Sequence, residues 1–450
     1  MAQQSRFFDF MQHRLMKPMG KIANLRVVRA VMEAGMATIP FTIVGSMFLV
    51  LNVIPQAFPI FKGIWSVSFD KIQSLYMIAN TSTMGILALY FGLVFGYEYT
   101  RIHRDEEHLE LSPLNGALLS MFAFFMCLPE LVVKGGTFTL LNLHTKNAIV
   151  VNGYRMDTII QRLGTSGIFT AIIMSILAVK LYYVCVKKHW TIKMPSSVPS
   201  GVSRSFTALI PTAVISFAVL TINVILNLFG TDIFKMVSIP FGFVTHIANT
   251  WAGLMVIYFL ISALWIVGIH GANIITSFLT PIVLSNMEAN IHGANFPLAG
   301  EFNNSFVTIG GSGATLGLVF LMAFLARSAQ LKSLGKMALV PALFNINEPI
   351  IFGAPIVYNP YLAVPFFVAP MVSASIGYFA IKTHFVHAII AQVPWPSPVG
   401  IGAFIGSGGS FTGAIVAVID AIVATLIWFP FFKVYDNSLV KEEMKNSNND

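Results

Sequence analysis

Phe344-Asn345-Ile346-Asn347-Glu348-Pro349-Ile350-Ile351-Phe352-Gly353-Ala354 sets a carboxylate, flanked by Asn and followed by Pro, inside an apolar run. The chain around it is built for lipid. Of its 450 residues 56% are hydrophobic and only 10% charged, with a mean hydropathy of +0.76. Soluble domains carry about 25% charged residues, so this is a polytopic membrane protein. An ionisable group at the bilayer centre costs about 2.5–3.5 kcal/mol on insertion scales. Pro349 removes a backbone donor and is expected to turn Glu348 away from helical geometry. Non-helical backbone at membrane depth persists only where protein buries it or it lines a cavity. Glu348 therefore reads as part of a polar binding site.

Outward from that stretch, nine apolar segments of spanning length run at about 30–54, 74–97, 114–133, 164–186, 206–229, 250–269, 306–326, 361–380 and 411–432. Basic residues cluster at 1–29, at 187–204 (Lys187, Lys188, Lys193, Arg204), at 327–336 (Arg327, Lys332, Lys336) and after the last span. With both termini in the cytoplasm, these clusters sit inside only if the chain also crosses between 270 and 305. The short apolar piece Ile274 to Leu284, interrupted by Pro281, supplies that crossing as a discontinuous element, making ten. The segment 337–358, broken by Pro341, Pro349 and Pro355, is similar. Two such broken segments flanking a regular span point to a transporter site between them. The expected fold is all-α, with about ten transmembrane helices, two re-entrant hairpins and a short β-hairpin over Lys134 to Gly153. The stretches 134–162 and 286–305 are expected outside.

The net charge of +8 marks cytoplasmic loops rather than a nucleic-acid partner. Two cysteines exclude a disulfide scaffold or a cysteine-based zinc site, and Cys127 and Cys185 read as buried, inert thiols. The loop Tyr97 to Pro113 carries His103, Asp105, Glu106, Glu107 and His108 without metal-ligand spacing, so it reads as solvated. No metal or cofactor is expected. Pro195 to Gly201 reads as a linker and hinge.

Several residues could carry binding. His270, in Gly268-Ile269-His270-Gly271-Ala272-Asn273, either caps a helix C-terminus or meets Glu348 across the two broken segments. The repeat of Ile-His-Gly-Ala-Asn at 291–295 falls in a polar loop, so His292 reads as coincidental. Gly310-Gly311-Ser312-Gly313-Ala314 lacks a P-loop lysine and reads as close helix packing, with room for sugar contacts. Trp395, in Pro394-Trp395-Pro396-Ser397-Pro398, is either an interfacial anchor or a platform for the apolar face of a sugar ring. Glu33, Glu130 and Asp420 either bind a coupling ion or make hydrogen bonds within the bundle.

The motifs Gly268 to Ala272, Gly310 to Gly317 and Ile346-Asn347-Glu348-Pro349-Ile350 stand in this order, with Ser203 to Pro211 before them. Together they resemble the enzyme IIC component of the bacterial phosphoenolpyruvate-dependent sugar phosphotransferase system, lactose/cellobiose/diacetylchitobiose branch, over nearly the whole chain. The resemblance implies a homodimeric permease of the bacterial cytoplasmic membrane with ten spans. Residues 1–29 would be a cytoplasmic amphipathic N-terminus and 30–230 a five-span dimerisation scaffold. Residues 231–435 would be a transport domain with two re-entrant hairpins, and 436–450 a cytoplasmic polar tail. It implies that His270 and Glu348 hold the sugar near the hydroxyl to be phosphorylated, as catalytic and substrate-binding residues, joined by Asn347 and Trp395. The substrate would be a β-linked disaccharide. The phosphoryl donor would be a cysteine on a separate IIB protein, itself charged by IIA, since neither cysteine here lies in a soluble domain. The competing classes are an ion-coupled secondary sugar transporter using Asp420, an autonomous membrane enzyme, for which no nucleotide loop or nucleophile–base pair is present, and a passive channel.

Overall fold

The computed structural model describes the chain except residues 1–20, 22–23, 58–59, 61, 147, 157, 193–194, 196–205, 267–269, 355, 357–358 and 448–450. The expected hinge (Pro195 apart), the Ser203–Ser205 part of one motif and most of the N-terminal segment lie outside the described residues. The main helices are α1 (Arg26–Ala57), α2 (Leu87–Glu107), α3 (Pro113–Phe125), α4 (Ile168–Lys187), α5 (Leu209–Leu228), α6 (Ile233–Ala248) and α7 (Trp251–Ile266). There follow α8 (Gly271–Ile291), α9 (Leu316–Leu325), α10 (Ala329–Leu343), α11 (Glu348–Gly353), α12 (Pro360–Lys382) and α13 (Phe411–Ser447). Among the described residues five helices are long and apolar enough to cross a membrane, and up to seven spans result if each of two bent pairs counts as one. The chain is an all-α polytopic membrane protein.

Two compact units emerge, one of Ala23–Gly45 with Ile78–Thr245, the other built on Ser46–Met77 and His246–Asp450. In the first, α2 and α3 touch through small residues. A Cβ on Gly116 would lie 1.8 Å from the Thr100 hydroxyl, and one on Gly96 would lie 2.2 Å from that of Ser120. Both hydroxyls donate back to carbonyls of their own helix, Thr100 to Gly96 at 2.7 Å and Ser120 to Gly116 at 2.8 Å. Polar groups are thus satisfied within the helices while the backbones approach closely, the packing that lipid favours.

The region expected as one hairpin holds five short strands in two antiparallel sheets. Leu131–Lys134 pairs with Thr137–Leu140 around Gly135-Gly136, while Leu143–His144, Ile149–Val151 and Tyr154–Arg155 form the second sheet. Asn152 and Gly153, both left-handed at φ 51 and 79, turn the last pair, as a two-residue hairpin requires. Glu130 anchors this region, with Arg155 donating to both its oxygens at 2.8 and 2.9 Å and Arg162 forming an ion pair with it at 3.7 Å.

Three further expectations are corrected. Tyr97 to Glu107 is the end of α2 rather than a solvated loop. Its carboxylates are paired: Arg26 bonds Glu106 and Glu107, Arg29 bonds Glu106, and Tyr183 donates to Glu107. The discontinuous element at 274–284 is instead the middle of the continuous helix α8. The hydroxyls of Thr276 and Thr280 donate to the carbonyls of Ala272 and Thr276 one turn back, so both are satisfied within the helix. Asp436 to Ser447, expected as a polar tail, continues α13.

The second unit has an aromatic core in which Tyr258, Phe302, Phe306, Phe366, Trp428 and Phe432 are fully buried. Gly377 meets Phe306 and Phe302, so α12 lies directly against the π-helical turn Asn303–Val307. The same unit carries the glycine loop, α8 and the broken segment between α10 and α12.

Candidate functional site

The segment 344–347 breaks the chain between α10 and α11, as its composition predicts. Asn345, not Glu348, takes the unusual conformation, with φ 61. Asparagine tolerates that region because its short side chain finds local partners. Its Oδ1 accepts from Gly310 N at 2.8 Å, and its Nδ2 donates to the carbonyls of Trp395 at 3.0 Å and Ser397 at 3.1 Å. One buried side chain thus ties the break, the glycine loop and the Pro-Trp-Pro turn. Asn347 caps α11 from the other side of Ile346. Its Nδ2 donates to Ser312 O at 2.6 Å and to the Thr315 hydroxyl at 2.8 Å, and its carbonyl accepts from Ile350 and Ile351 at 2.9 Å.

Glu348 follows as the first residue of α11, with Pro349 in the first turn. The expected turn away from helical geometry is therefore found three residues earlier. A carboxylate in a first turn complements the free N–H groups there, and proline loses nothing at that position. Glu348 is exposed, unlike the two asparagines that hold its backbone.

The glycine string is an irregular loop rather than a helix-packing seam. Gly310, Gly311 and Gly313 have φ of 77, 98 and 85, and Ala314 has 54. A Cβ on Gly311 would strike Asn347 at 2.3 Å, and one on Gly313 would strike Phe366 at 2.4 Å. Trp428 Nε1 donates to Gly313 O at 3.0 Å. Here glycine allows both the backbone turn and the approach of Asn347.

His270 stands immediately before α8, so it caps no C-terminus. Its ring centroid lies 4.3 Å from that of Trp265, and the Glu348 carboxylate is near enough to act on its charge. Trp395 is half exposed on its turn, with its carbonyl held by Asn345. His292 pairs with Glu288 at 3.1 Å on the surface, outside the cluster. Glu33 is exposed, and Glu130 is spent on Arg155. Asp420 is fully buried and has no hydrogen-bond partner at either oxygen among the described residues.

The sequence reading missed Asn345 as the central tie, and missed Glu301. The latter accepts from Asn304 Nδ2 at 2.5 Å and from Gln392 Nε2, fastening the turn before Trp395 to the π-helical segment. Asn304 apart, three positions from Glu301, their partners lie 35 to 91 positions away, beyond any local signal. Asparagine at 345, before a proline-broken segment, is the one cue that could have found its turn.

An exposed carboxylate whose charge acts on an imidazole, with an indole on a turn tied to the same asparagine-held break, offers groups that can hold a hydroxyl-rich neutral ligand and accept a proton from it. Among the described residues no group of three or more His, Cys, Asp or Glu could hold a metal. A separate cavity of about 600 Å³, lined by Glu130, Arg155, Arg162 and Asp232 among others, has these four charges paired with one another.

The family description "Phosphotransferase system, EIIC" matches residues 32–370. This chain belongs to the phosphotransferase-system EIIC family. The EIIC chain is 33% identical to the cellobiose-specific EIIC component of Geobacillus stearothermophilus, over 97% of this chain and 96% of that protein. It is 32% identical to the lichenan permease IIC component of Bacillus subtilis (strain 168), over 97% and 95%. It matches the lactose-specific EIICB component of Lactococcus lactis subsp. lactis at 29%, over 96% of this chain and 72% of that longer protein. The crystal structure of ChbC, the IIC component from the N,N'-diacetylchitobiose-specific phosphotransferase system, superposes with a TM-score of 0.85 at 31% identity, covering 97% of this chain and 99% of that one. The EIIC chain is a sugar permease of the phosphotransferase system.

Proposed function

We propose that this EIIC permease carries a β-linked disaccharide of the cellobiose, diacetylchitobiose or lactose type and offers its C6 hydroxyl to a phosphocysteine on a separate IIB protein. The observation that carries this reading is Glu348, exposed on a backbone fixed by Asn345 and Asn347, with an electrostatic influence on His270. In this scheme His270 and Glu348 hold the reacting hydroxyl and Trp395 faces the sugar ring. Asn347 acts through the glycine loop. The hydroxyl oxygen attacks phosphorus, the S–P bond breaks, and Glu348 takes the hydroxyl proton. Such a transfer asks the protein mainly for positioning and charge stabilisation. The relatives named for cellobiose, lichenan and lactose support the substrate class.

The same reading gives ten crossings with two re-entrant hairpins, both termini in the cytoplasm, a scaffold over 30–230 that pairs in a homodimer, and a transport domain over 231–435. IIB, charged by IIA, docks on the cytoplasmic basic loops around Arg327 and Lys332.

Calorimetric titration of the purified chain with cellobiose, lactose, diacetylchitobiose and glucose tests the substrate class. Saturable binding of at least one disaccharide, tighter than glucose, is expected. A preference for glucose, or no disaccharide binding, would overturn it.

A further inference from the structure

Helices α9 and α10 are joined by only Ala326–Ser328, which forces the chain to reverse. They pack tightly, since a Cβ on Gly335 would lie 2.4 Å from Ala323 N. The two halves of the polar site stand at the open end of this hairpin. The glycine loop feeds the start of α9, and Asn345 to Glu348 leave the end of α10.

The closed end is held by α13. A helix begins with N–H groups that have no partner within it. Here Arg327 N donates to both oxygens of Asp436, at 3.1 and 3.0 Å, and Ser328 N to its Oδ1 at 2.9 Å. Ala329 N and Gln330 N donate to Glu443 at 3.2 Å, as does the Ser328 hydroxyl at 2.6 Å. Leu331 N is taken by Ser328 Oγ at 3.3 Å. Every backbone N–H from Arg327 to Leu331 thus has an acceptor, four of the five from two carboxylates. Asp436 and Glu443 lie two turns apart on one face of α13, and Asp436 is buried.

We propose that Asp436 and Glu443 are positioning residues for the sugar site, setting the axial position of the α9–α10 hairpin and thereby of Asn345, Asn347 and Glu348. Helix α10 spans about 22 Å at ~1.5 Å per residue. It transmits a shift at its capped end because Gly335 leaves no slack against α9. The sugar-affinity part of this proposal rests on the site reading above; the mechanical part does not.

Hydrogen exchange on the full chain separates a local cap from a device that reaches the site. In Asp436→Leu/Glu443→Leu the amides of Ile350 and Ile351 should exchange about tenfold faster, the factor corresponding to ~1.4 kcal/mol. Asp436→Asn should stay near wild type, because a single oxygen already accepts from both Arg327 N and Ser328 N. Should the double variant not fold, Glu443→Ala is read in the same way, with a smaller acceleration at the same two amides. Acceleration confined to residues 327–331 would overturn the proposal. Disaccharide affinity of the folded variants, measured well below the melting temperature, should fall in step with the exchange at Ile350 and Ile351. Glu348→Gln serves as control: normal binding there refutes the site reading, whereas lost binding there with unaltered exchange and affinity in the α13 variants refutes the positioning role.

Discussion

At the residue scale the proposed chemistry turns on Glu348, whose backbone is fixed by buried asparagines while its carboxylate stays exposed. Glu348→Gln keeps the shape and removes the charge. A charge-assisted hydrogen bond is worth about 1.5–3 kcal/mol, so disaccharide affinity should drop by roughly one to two decades in a calorimetric titration. Retained affinity would remove Glu348 from the site. Asp420 presents the opposite case, a buried acid with no partner at either oxygen among the described residues. An isosteric amide there breaks no hydrogen bond seen among the described residues and removes the cost of ionising a buried acid. Asp420→Asn should therefore melt at the same temperature as the parent or higher. A clear loss of stability would reveal a partner for this group. Glu348 stands out in the sequence because a carboxylate before proline in an apolar run has few structural explanations, and the break in the chain beside it was legible there. Asn345 was not, since its three bonds reach Gly310, Trp395 and Ser397, and sequence distance hides such ties.

At the element scale, the membrane helices follow from apolar length and the small-residue contacts from glycine placed opposite hydroxyls. Gly116→Val would force a side chain into Thr100. Overpacking of this kind costs about 1–3 kcal/mol, visible as a lowered melting temperature. The sheets at 131–155 offer a test by pH. Arg155, hydrogen-bonded through two nitrogens, holds the Glu130 carboxyl below its usual 4.5. The stabilisation this brings is complete above 4.5 and is lost as pH falls through the lower, folded-state value. Amide protection of Leu141 and Gly153, which close the loop around Glu130, should weaken across that acid window and lose the dependence in Glu130→Gln. An unchanged acid dependence in that variant would assign the effect elsewhere. One hairpin was expected here because Thr137-Phe138-Thr139-Leu140 alternates and Asn152-Gly153 is a strong turn signal, whereas Leu131-Val132-Val133-Lys134 does not alternate and runs on from an apolar segment. The polar end of α13 and the end of α2 read as solvated segments because their acids and bases look unpaired along the chain. Both prove helical, with acids engaged by groups about 80 and 110 positions away.

On the scale of the whole molecule, the orientation follows from the basic clusters and is open to labelling. Lys146 and His292 are exposed in the segments assigned to the outside, so Lys146→Cys and His292→Cys should react with impermeant thiol reagents on intact cells. Reaction only after lysis would invert the topology. Phosphotransfer, rather than an ion gradient, is the central claim, and reconstitution in proteoliposomes tests it most directly. Labelled disaccharide should exchange without accumulating when the EIIC chain is alone. Sugar phosphate should appear only when phosphorylated IIB is supplied on the cytoplasmic face. Concentrative uptake of unmodified disaccharide driven by a proton or sodium gradient, with no phosphorylated product in the presence of IIB, would contradict the account.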